Sequence, residues 1–382
     1  MRPVILLLFS VFSIAAFAQN SIQFHESGWK AILAQAKAEN KLIFMDAYAS
    51  WCGPCKMMAK NVFTDEAVID YYEASFVNAK IDMEKGEGPE LAEMYSVRAY
   101  PTLLFINGNG ELVHRAVGYH AAEQFIELGK TANDPSLQLS SLTKRYVNGE
   151  RDPEFLRTYA NAAMNAMDPK ADQIAEAYLA TQSDWNTEEN MQMILQTVSS
   201  TDSKMYDYLI ENRAAFESYF GKEYVIGTVQ NLIISSLADK GSDDAILSEV
   251  KKLYQEAYPE YADELYANFS MEFYLQAGNT AAFAEAAVAY VEAAEEDPYT
   301  YNNIAWTFYE SVEDPAMLKK AIGWAEKSVK LMDAYFNNDT LAWLNYKAGK
   351  KGKAKKAAQK AIALAKQNGE DYSATQELLD ML

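Results

Sequence analysis

The chain has 382 residues, a formal net charge of −20 and a pI near 4.6. An acidic surface repels phosphate backbones, which argues against nucleic-acid binding, and the length exceeds what one core organises, so two or more domains are expected. Two cysteines exclude the multi-bridge framework of a small secreted scaffold, and 25 tyrosines suit packed helices and partner surfaces better than disorder.

Arg2 precedes Val4 to Ala18, an uncharged and largely apolar stretch ending Ala16-Phe17-Ala18 before Gln19. A charged start, a short apolar run and a small-x-small end read as an export signal, residues 1–18. An uncleaved membrane anchor is the alternative; the run is short for a span and is interrupted by Ser10 and Ser13. No cysteine near the cleavage point invites a lipid anchor. The mature protein is expected to be soluble and outside the cytoplasm.

From Ser21 to about Thr131 the pattern alternates between helix and strand. Glu26 to Asn40 has helical spacing through Trp29, Ile32, Leu33 and Ala36, and Leu42 to Tyr48 is a buried-strand run. Cys52 to Val62 and Asp65 to Ala74 are helical, Phe76 to Ile81 is a strand, and Gly88 to Tyr95 is helical. Thr102 to Ile106 is a strand, Asn107-Gly108-Asn109-Gly110 a hairpin turn, Glu111 to Val117 the return strand, and Ala121 to Leu128 a closing helix. This order predicts a central mixed sheet flanked by helices. Asn133-Asp134-Pro135-Ser136 reads as a domain boundary, giving a first domain at 19–133 and an all-α domain at 137–382.

In that second domain Ala, Leu, Tyr, Glu and Lys recur at helical spacing. The pair Ala305-Trp306 returns as Ala342-Trp343, 37 residues on, and Gly278 and Gly349 are 71 residues apart. Each of the segments around Tyr274, Trp306 and Trp343 is followed by an alanine-rich helical run. Helix–turn–helix units of this length resemble tetratricopeptide repeats from about residue 267 onward; residues 137–265 show no phased repeat. Trp306 and Trp343 are expected in the repeat core rather than in a ligand cage. A lysine cluster, Lys347, Lys350, Lys351, Lys353, Lys355, Lys356, Lys360 and Lys366, reads either as a docking face for an acidic partner or lipid or, preferably, as a solvated face answering the chain's own acids.

The chemistry lies in Trp51-Cys52-Gly53-Pro54-Cys55-Lys56, which holds both cysteines. A strand feeding C-x-x-C at a helix start is a redox arrangement, because the helix N-terminus favours a thiolate at Cys52. The spacing predicts an exposed first sulfur, which attacks a substrate disulfide, and an inward second sulfur, which resolves the mixed disulfide. Gly53 keeps the approach open and Pro54 limits backbone freedom. A structural disulfide is disfavoured because so short a loop restrains little chain entropy. Zinc is disfavoured because one C-x-x-C is half a ligand set and His25, His114 and His120 are scattered; no metal and no cofactor are expected. Asp46, inside the apolar strand, is either a desolvated proton carrier for Cys55 or a strand-end carboxylate bonding local backbone. By spacing the two are equal.

Residues 22–131 resemble the thioredoxin family through Asp46-Ala-Tyr-Ala-Ser-Trp51-Cys52-Gly53-Pro54-Cys55-Lys56, Val97-Arg-Ala-Tyr100-Pro101-Thr102 and Val117-Gly118. The resemblance implies that Asp46 is the buried carboxylate behind Cys55, that Tyr100–Pro101 is cis and faces the sulfurs, and that Trp51, Tyr100, Val117 and Gly118 form an apolar docking rim with substrate pairing beside Pro101. The family's lysine near this Asp aligns with Asn78, with Lys80 two residues on. The N-terminal helix and Asn61-Val-Phe63-Thr64-Asp65 resemble exported members such as the C-terminal domain of the thiol reductase DsbD. C-G-P-C resembles reducing members, which implies a thiol-disulfide oxidoreductase of the protein-disulfide reductase type. In an oxidising compartment it would need a membrane thiol electron donor, and its substrates would be disulfide-containing envelope proteins. The helical half would select a peptide or protein partner. A binding module on a redox-inactive platform, and a dimerising structural role, are the other two classes.

Overall fold

The computed structural model describes residues 21–237 and 242–382, so the expected export signal lies outside the described residues. The chain divides into two compact units, the first ending at Val225 and the second spanning Ile226–Leu382.

The first unit opens with α1 (Trp29–Glu39), β1 (Leu42–Tyr48), α2 (Gly53–Asn61), α3 (Glu66–Ser75), β2 (Phe76–Asp82), α4 (Gly88–Met94), β3 (Thr102–Ile106), β4 (Leu112–Val117) and α5 (Ala122–Asn133). The sheet order is β2-β1-β3-β4, with β1–β2 parallel and the other pairs antiparallel. β1 is apolar almost throughout because both faces of the sheet are covered. Ile43 and Met45 meet Trp29, Ile32 and Leu91 on one face. Phe44, one residue out of phase, meets Met58, Tyr72 and Phe125 on the other. The rings of Phe63, Tyr72, Phe105 and Phe125 all lie 5.0–6.2 Å from that of Phe44.

Two boundaries differ from the sequence reading by more than one residue. The first helix begins at Trp29, not Glu26, because the preceding segment is extended: His25 N–H donates to Asn78 O and bridges β2. Glu87 then accepts from Trp29 N–H at 2.9 Å. The helix expected to close at Leu128 continues to Asn133. Gly129 lets it cross α3, since a Cβ there would stand 2.8 Å from the Tyr71 ring.

The unit continues with α6 (Leu139–Val147), α7 (Pro153–Asn165), α8 (Ala171–Leu179), α9 (Glu188–Thr197), α10 (Lys204–Glu211) and α11 (Arg213–Phe220). Asp152, Thr187 and Ser203 cap three of these helices through their side-chain oxygens. Helix α12 (Lys222–Ser235) carries the chain past the division between units.

The second unit holds α13 (Asp243–Ala257), α14 (Ala262–Gln276), α15 (Thr280–Ala293), α16 (Pro298–Ser311), α17 (Pro315–Leu331), α18 (Tyr335–Lys347), α19 (Lys351–Asn368) and α20 (Ser373–Met381). Helices α14 and α15, α16 and α17, and α18 and α19 pack as successive hairpins. Gly278 and Gly349 turn the first and last of these with φ of 70° and 73°. Trp306 is half-buried and joins no core cluster, whereas Trp343, also half-buried, packs against the core of Ala342, Ala357, Ala358 and Leu378; Phe308 and Trp324 fill the core between α16 and α17. Trp306 Nε1–H donates outward to Glu310 at 2.9 Å. Within the lysine cluster Lys347 reaches Glu313 at 2.7 Å, Lys360 reaches Asp333 at 2.8 Å and Lys353 stands 3.9 Å from Glu326. These lysines answer the unit's own acids. No helix among the described residues is long and apolar enough to cross a membrane.

Candidate active site

β1 ends at Tyr48, and the chain turns through Ala49 with Cys52 N–H donating to Ala49 O at 3.1 Å. Cys52 is therefore the N-cap of α2 and Pro54 sits in its first turn, where its missing N–H costs nothing. Cys52 and Cys55 form a disulfide, and the Cys55 N–H donates to Cys52 Sγ at 3.1 Å. The same donor faces a Cys52 thiolate after reduction, together with the positive end of the helix.

The expected contrast between an exposed first cysteine and a buried second one is not what the disulfide form shows. Cys52 is 2% exposed and Cys55 3%. Ala49 and the rings of Tyr48 and Tyr100 pack around the pair, and the exposed member of the motif is Trp51, at 66%. A Cβ on Gly53 would meet nothing within 4 Å, so the side over Gly53 is open.

Tyr100–Pro101 is cis. Thr102 Oγ1 donates to Ala99 O at 2.7 Å across this turn, and Gly118 N–H donates to Pro101 O at 2.8 Å. Val117 pairs with Thr102 in the β3–β4 ladder. The fold thus ties Val117 and Gly118 to Pro101, while Tyr100 meets Trp51 edge to face at 6.0 Å. These separate sequence segments form one rim beside the disulfide.

Asp46 is 1% exposed in the middle of β1, and neither carboxylate oxygen has a hydrogen-bond partner. Burial pushes its carboxyl up to about 6, against a smaller opposing pull from Lys80. Alignment puts Asn78 beside this carboxylate, but the parallel register pairs Asp46 with Lys80 and Phe44 with Asn78. Lys80 Nζ stands 3.5 Å from Asp46 Oδ2, close enough for charge attraction though outside hydrogen-bond geometry. Its ammonium also lies 4.9 Å from the Tyr48 ring and 5.4 Å from that of Phe63. Asn78 instead donates to Tyr72 O at 3.2 Å.

Two functional neighbours escape sequence reasoning. Glu84 accepts the Trp51 indole N–H, at 2.9 and 3.0 Å from its two oxygens, and holds that ring at the rim. No motif marks Glu84. Tyr48, which flanks both the cysteines and Lys80, carries a signal only in its strand-end position. Of the three histidines, His114 is buried and accepts the Leu139 N–H at Nδ1, 3.1 Å away; burial lowers its imidazole to about 4. Among the described residues no cluster of His, Cys, Asp or Glu could hold a metal ion.

A parallel–antiparallel four-stranded sheet with a C-x-x-C disulfide at a helix start and a cis-proline beside it defines a thioredoxin-like fold with a dithiol/disulfide centre. A family model for the thioredoxin-like domain matches residues 29–133. Thioredoxin of Mycoplasmoides gallisepticum is 32% identical over 101 residues, covering 26% of this chain and 94% of that protein. Thioredoxin-1 of Drosophila melanogaster is 44% identical over 75 residues, 20% of this chain; the chain spans 65% of that relative's length. The solved structure of a proposed disulphide-isomerase from Bacteroides thetaiotaomicron is 48% identical, covering 30% of this chain and 94% of that one, with a TM-score of 0.28. The chain belongs to the thioredoxin family and continues into a large all-helical region.

Proposed function

We propose that this protein is an exported thiol-disulfide oxidoreductase that reduces protein disulfides in the bacterial envelope. The observation that carries this reading is the Cys52–Cys55 disulfide at the start of α2, with Pro101 and Tyr100 beside it and a buried Asp46 whose carboxyl is pushed up to about 6 by burial. In the reduced enzyme the Cys52 thiolate attacks one sulfur of a substrate disulfide, that bond breaks, and the released substrate sulfur takes up a proton. Cys55 then loses its proton to Asp46 and attacks Cys52 Sγ. The substrate's second sulfur leaves and is protonated, so that substrate gains two electrons and the enzyme disulfide closes. Trp51, Tyr100, Val117 and Gly118 receive the substrate, and Gly53 and Pro54 shape the approach to Cys52.

A thiol donor in the membrane returns the two electrons through the same face, because an oxidising compartment would otherwise hold the pair closed. Export rests on the Arg2 to Ala18 pattern. The redox centre occupies residues 19–133, and the helical region from 137 onward selects partners. Reduction of insulin by the mature chain, with Cys52→Ser inactive and Cys55→Ser accumulating mixed disulfides with envelope proteins, is the expected result. Wild-type protein unable to reduce insulin and no mixed disulfide in Cys55→Ser cells would leave the fold as a binding platform.

A further inference from the structure

Strand β4 is the edge of the sheet, yet α6 and α7 of the helical region pack on it. The Leu139 N–H bond to His114 fixes the start of α6 against that strand. Helices α5 and α7 then face each other across the end of β4 and enclose a cleft of about 890 Å³. Val117 and Tyr119 line it, flanking the Gly118 whose N–H is tied to Pro101. The cleft therefore begins at the rim where the proposed function places substrate.

Its walls are polar on both sides. Gln124 and Thr131 on α5 face Thr158, Asn161 and Asn165 on α7, so donors and acceptors are present together, as a polypeptide backbone requires. The charges are one-sided in effect. Arg157 is already bound to Glu189 at 2.9 Å, and Lys130 covers Glu127 at 2.6 Å. Glu123 is exposed and makes no ion pair among the described residues, within a chain of net charge −20. Among the described residues around the cleft no lysine or arginine lacks an ion-pair partner, whereas a basic segment meets the unpaired Glu123 carboxylate beside the imidazoles of His114 and His120.

We propose that the cleft between α5 and α7 seats a lysine- or arginine-bearing segment of the polypeptide whose disulfide Cys52 attacks, so that the first helices after the redox domain read substrate sequence. This rests on the redox reading above and names the class of substrate. The α7 wall makes the helical region part of substrate recognition within the first unit itself.

The test uses the full mature chain, pre-reduced, and three disulfides: glutathione disulfide, and one cysteine peptide in mixed disulfide with glutathione with either lysines or glutamates on both sides of the cysteine. The lysine peptide should be reduced with a kcat/KM at least ten times that of the glutamate peptide. Asn161→Trp, which fills the cleft, and Glu123→Lys should each collapse that preference to within about twofold while leaving glutathione disulfide reduction unchanged. The net charge alone would favour lysine everywhere, so a preference that survives Asn161→Trp, or equal turnover of both peptides by wild type, overturns the proposal. If no disulfide is reduced, the redox reading fails and the cleft is judged by anisotropy of a labelled serine analogue of the lysine peptide on the oxidised chain. Saturable binding lost in Asn161→Trp supports the cleft, and no binding overturns it.

Discussion

Lys80 Nζ stands 3.5 Å from Asp46 Oδ2 because the parallel ladder of β1 and β2 sets these two residues side by side. The carboxylate is buried and has no hydrogen bond, so its charge is opposed by desolvation and favoured by this ammonium. Desolvation is the larger effect, and a group that would ordinarily be ionised well below neutrality becomes one able to accept and return a proton near pH 6.

Stability should respond to that proton. The Asp46 carboxyl lies at about 6 in the folded chain against an ordinary 3.8. Between those values the folded state holds a proton that the unfolded state has lost, so this group's contribution falls as pH rises through the window. The loss reaches about 3 kcal/mol above pH 6. Asp46→Asn should therefore raise the unfolding free energy of the oxidised protein at pH 7 by up to about 3 kcal/mol, with no gain at pH 4. Calorimetry at both pH values checks this; destabilisation at pH 7 would contradict it.

Removing Lys80 should act in the opposite sense on catalysis. Its charge lowers the Asp46 carboxyl, so Lys80→Met lets that group rise further above 6. The pH profile of the Cys55-dependent step, followed as release of a trapped mixed disulfide, should move to higher pH. Rates should match wild type above the new midpoint and fall below it. An unshifted profile would remove Asp46 from proton transfer.

His114 gives a linkage of opposite slope. Burial holds its imidazole at about 4 against an ordinary 6.5, and Leu139 N–H occupies Nδ1, which places the proton on Nε2. The unfolded chain takes up a proton in that window and the folded chain does not, so stability falls as pH drops from 6.5 to 4, by about 3 kcal/mol. Asp46 and His114 thus offset each other in wild type. His114→Gln, which keeps an acceptor for Leu139, should reveal the falling slope of Asp46 as pH rises, and Asp46→Asn the rising slope of His114.

At the rim, Trp51 is the exposed aromatic and Glu84 its anchor. Trp51→Ala should lower kcat/KM for insulin reduction about tenfold, as loss of one aromatic docking contact does, and leave reduction of a small disulfide within about twofold. Glu84→Gln, which can still accept from the indole, should remain close to wild type, whereas Glu84→Ala should shift Trp51 emission and approach the Trp51→Ala rate.

Most of the redox domain was legible because its signals are local. Leu42 to Tyr48 and Thr102 to Ile106 are strands that sequence reading bounds correctly, since both are apolar runs buried on both faces. C-x-x-C after a strand states its own position at a helix start. What escaped depends on tertiary register. Lys80 and Asn78 occupy the same strand face, and only the ladder decides which meets Asp46. Burial of Cys52 depends on Tyr48 and Tyr100 closing over the pair, from elements far apart in sequence. The half-buried positions of Trp306 and Trp343 depend on which side of each hairpin faces its neighbour, which helical spacing alone leaves open. The Glu84 bond to Trp51 spans 33 residues and follows no pattern.

The central claim is that Cys52 and Cys55 are a reversible, reducing dithiol couple. Its reduction potential, measured on the mature chain by equilibration against a glutathione series, should lie near the thioredoxin value of about −270 mV. A value near about −120 mV would make the protein a disulfide-forming oxidant, and a pair that does not titrate reversibly would contradict a redox role altogether.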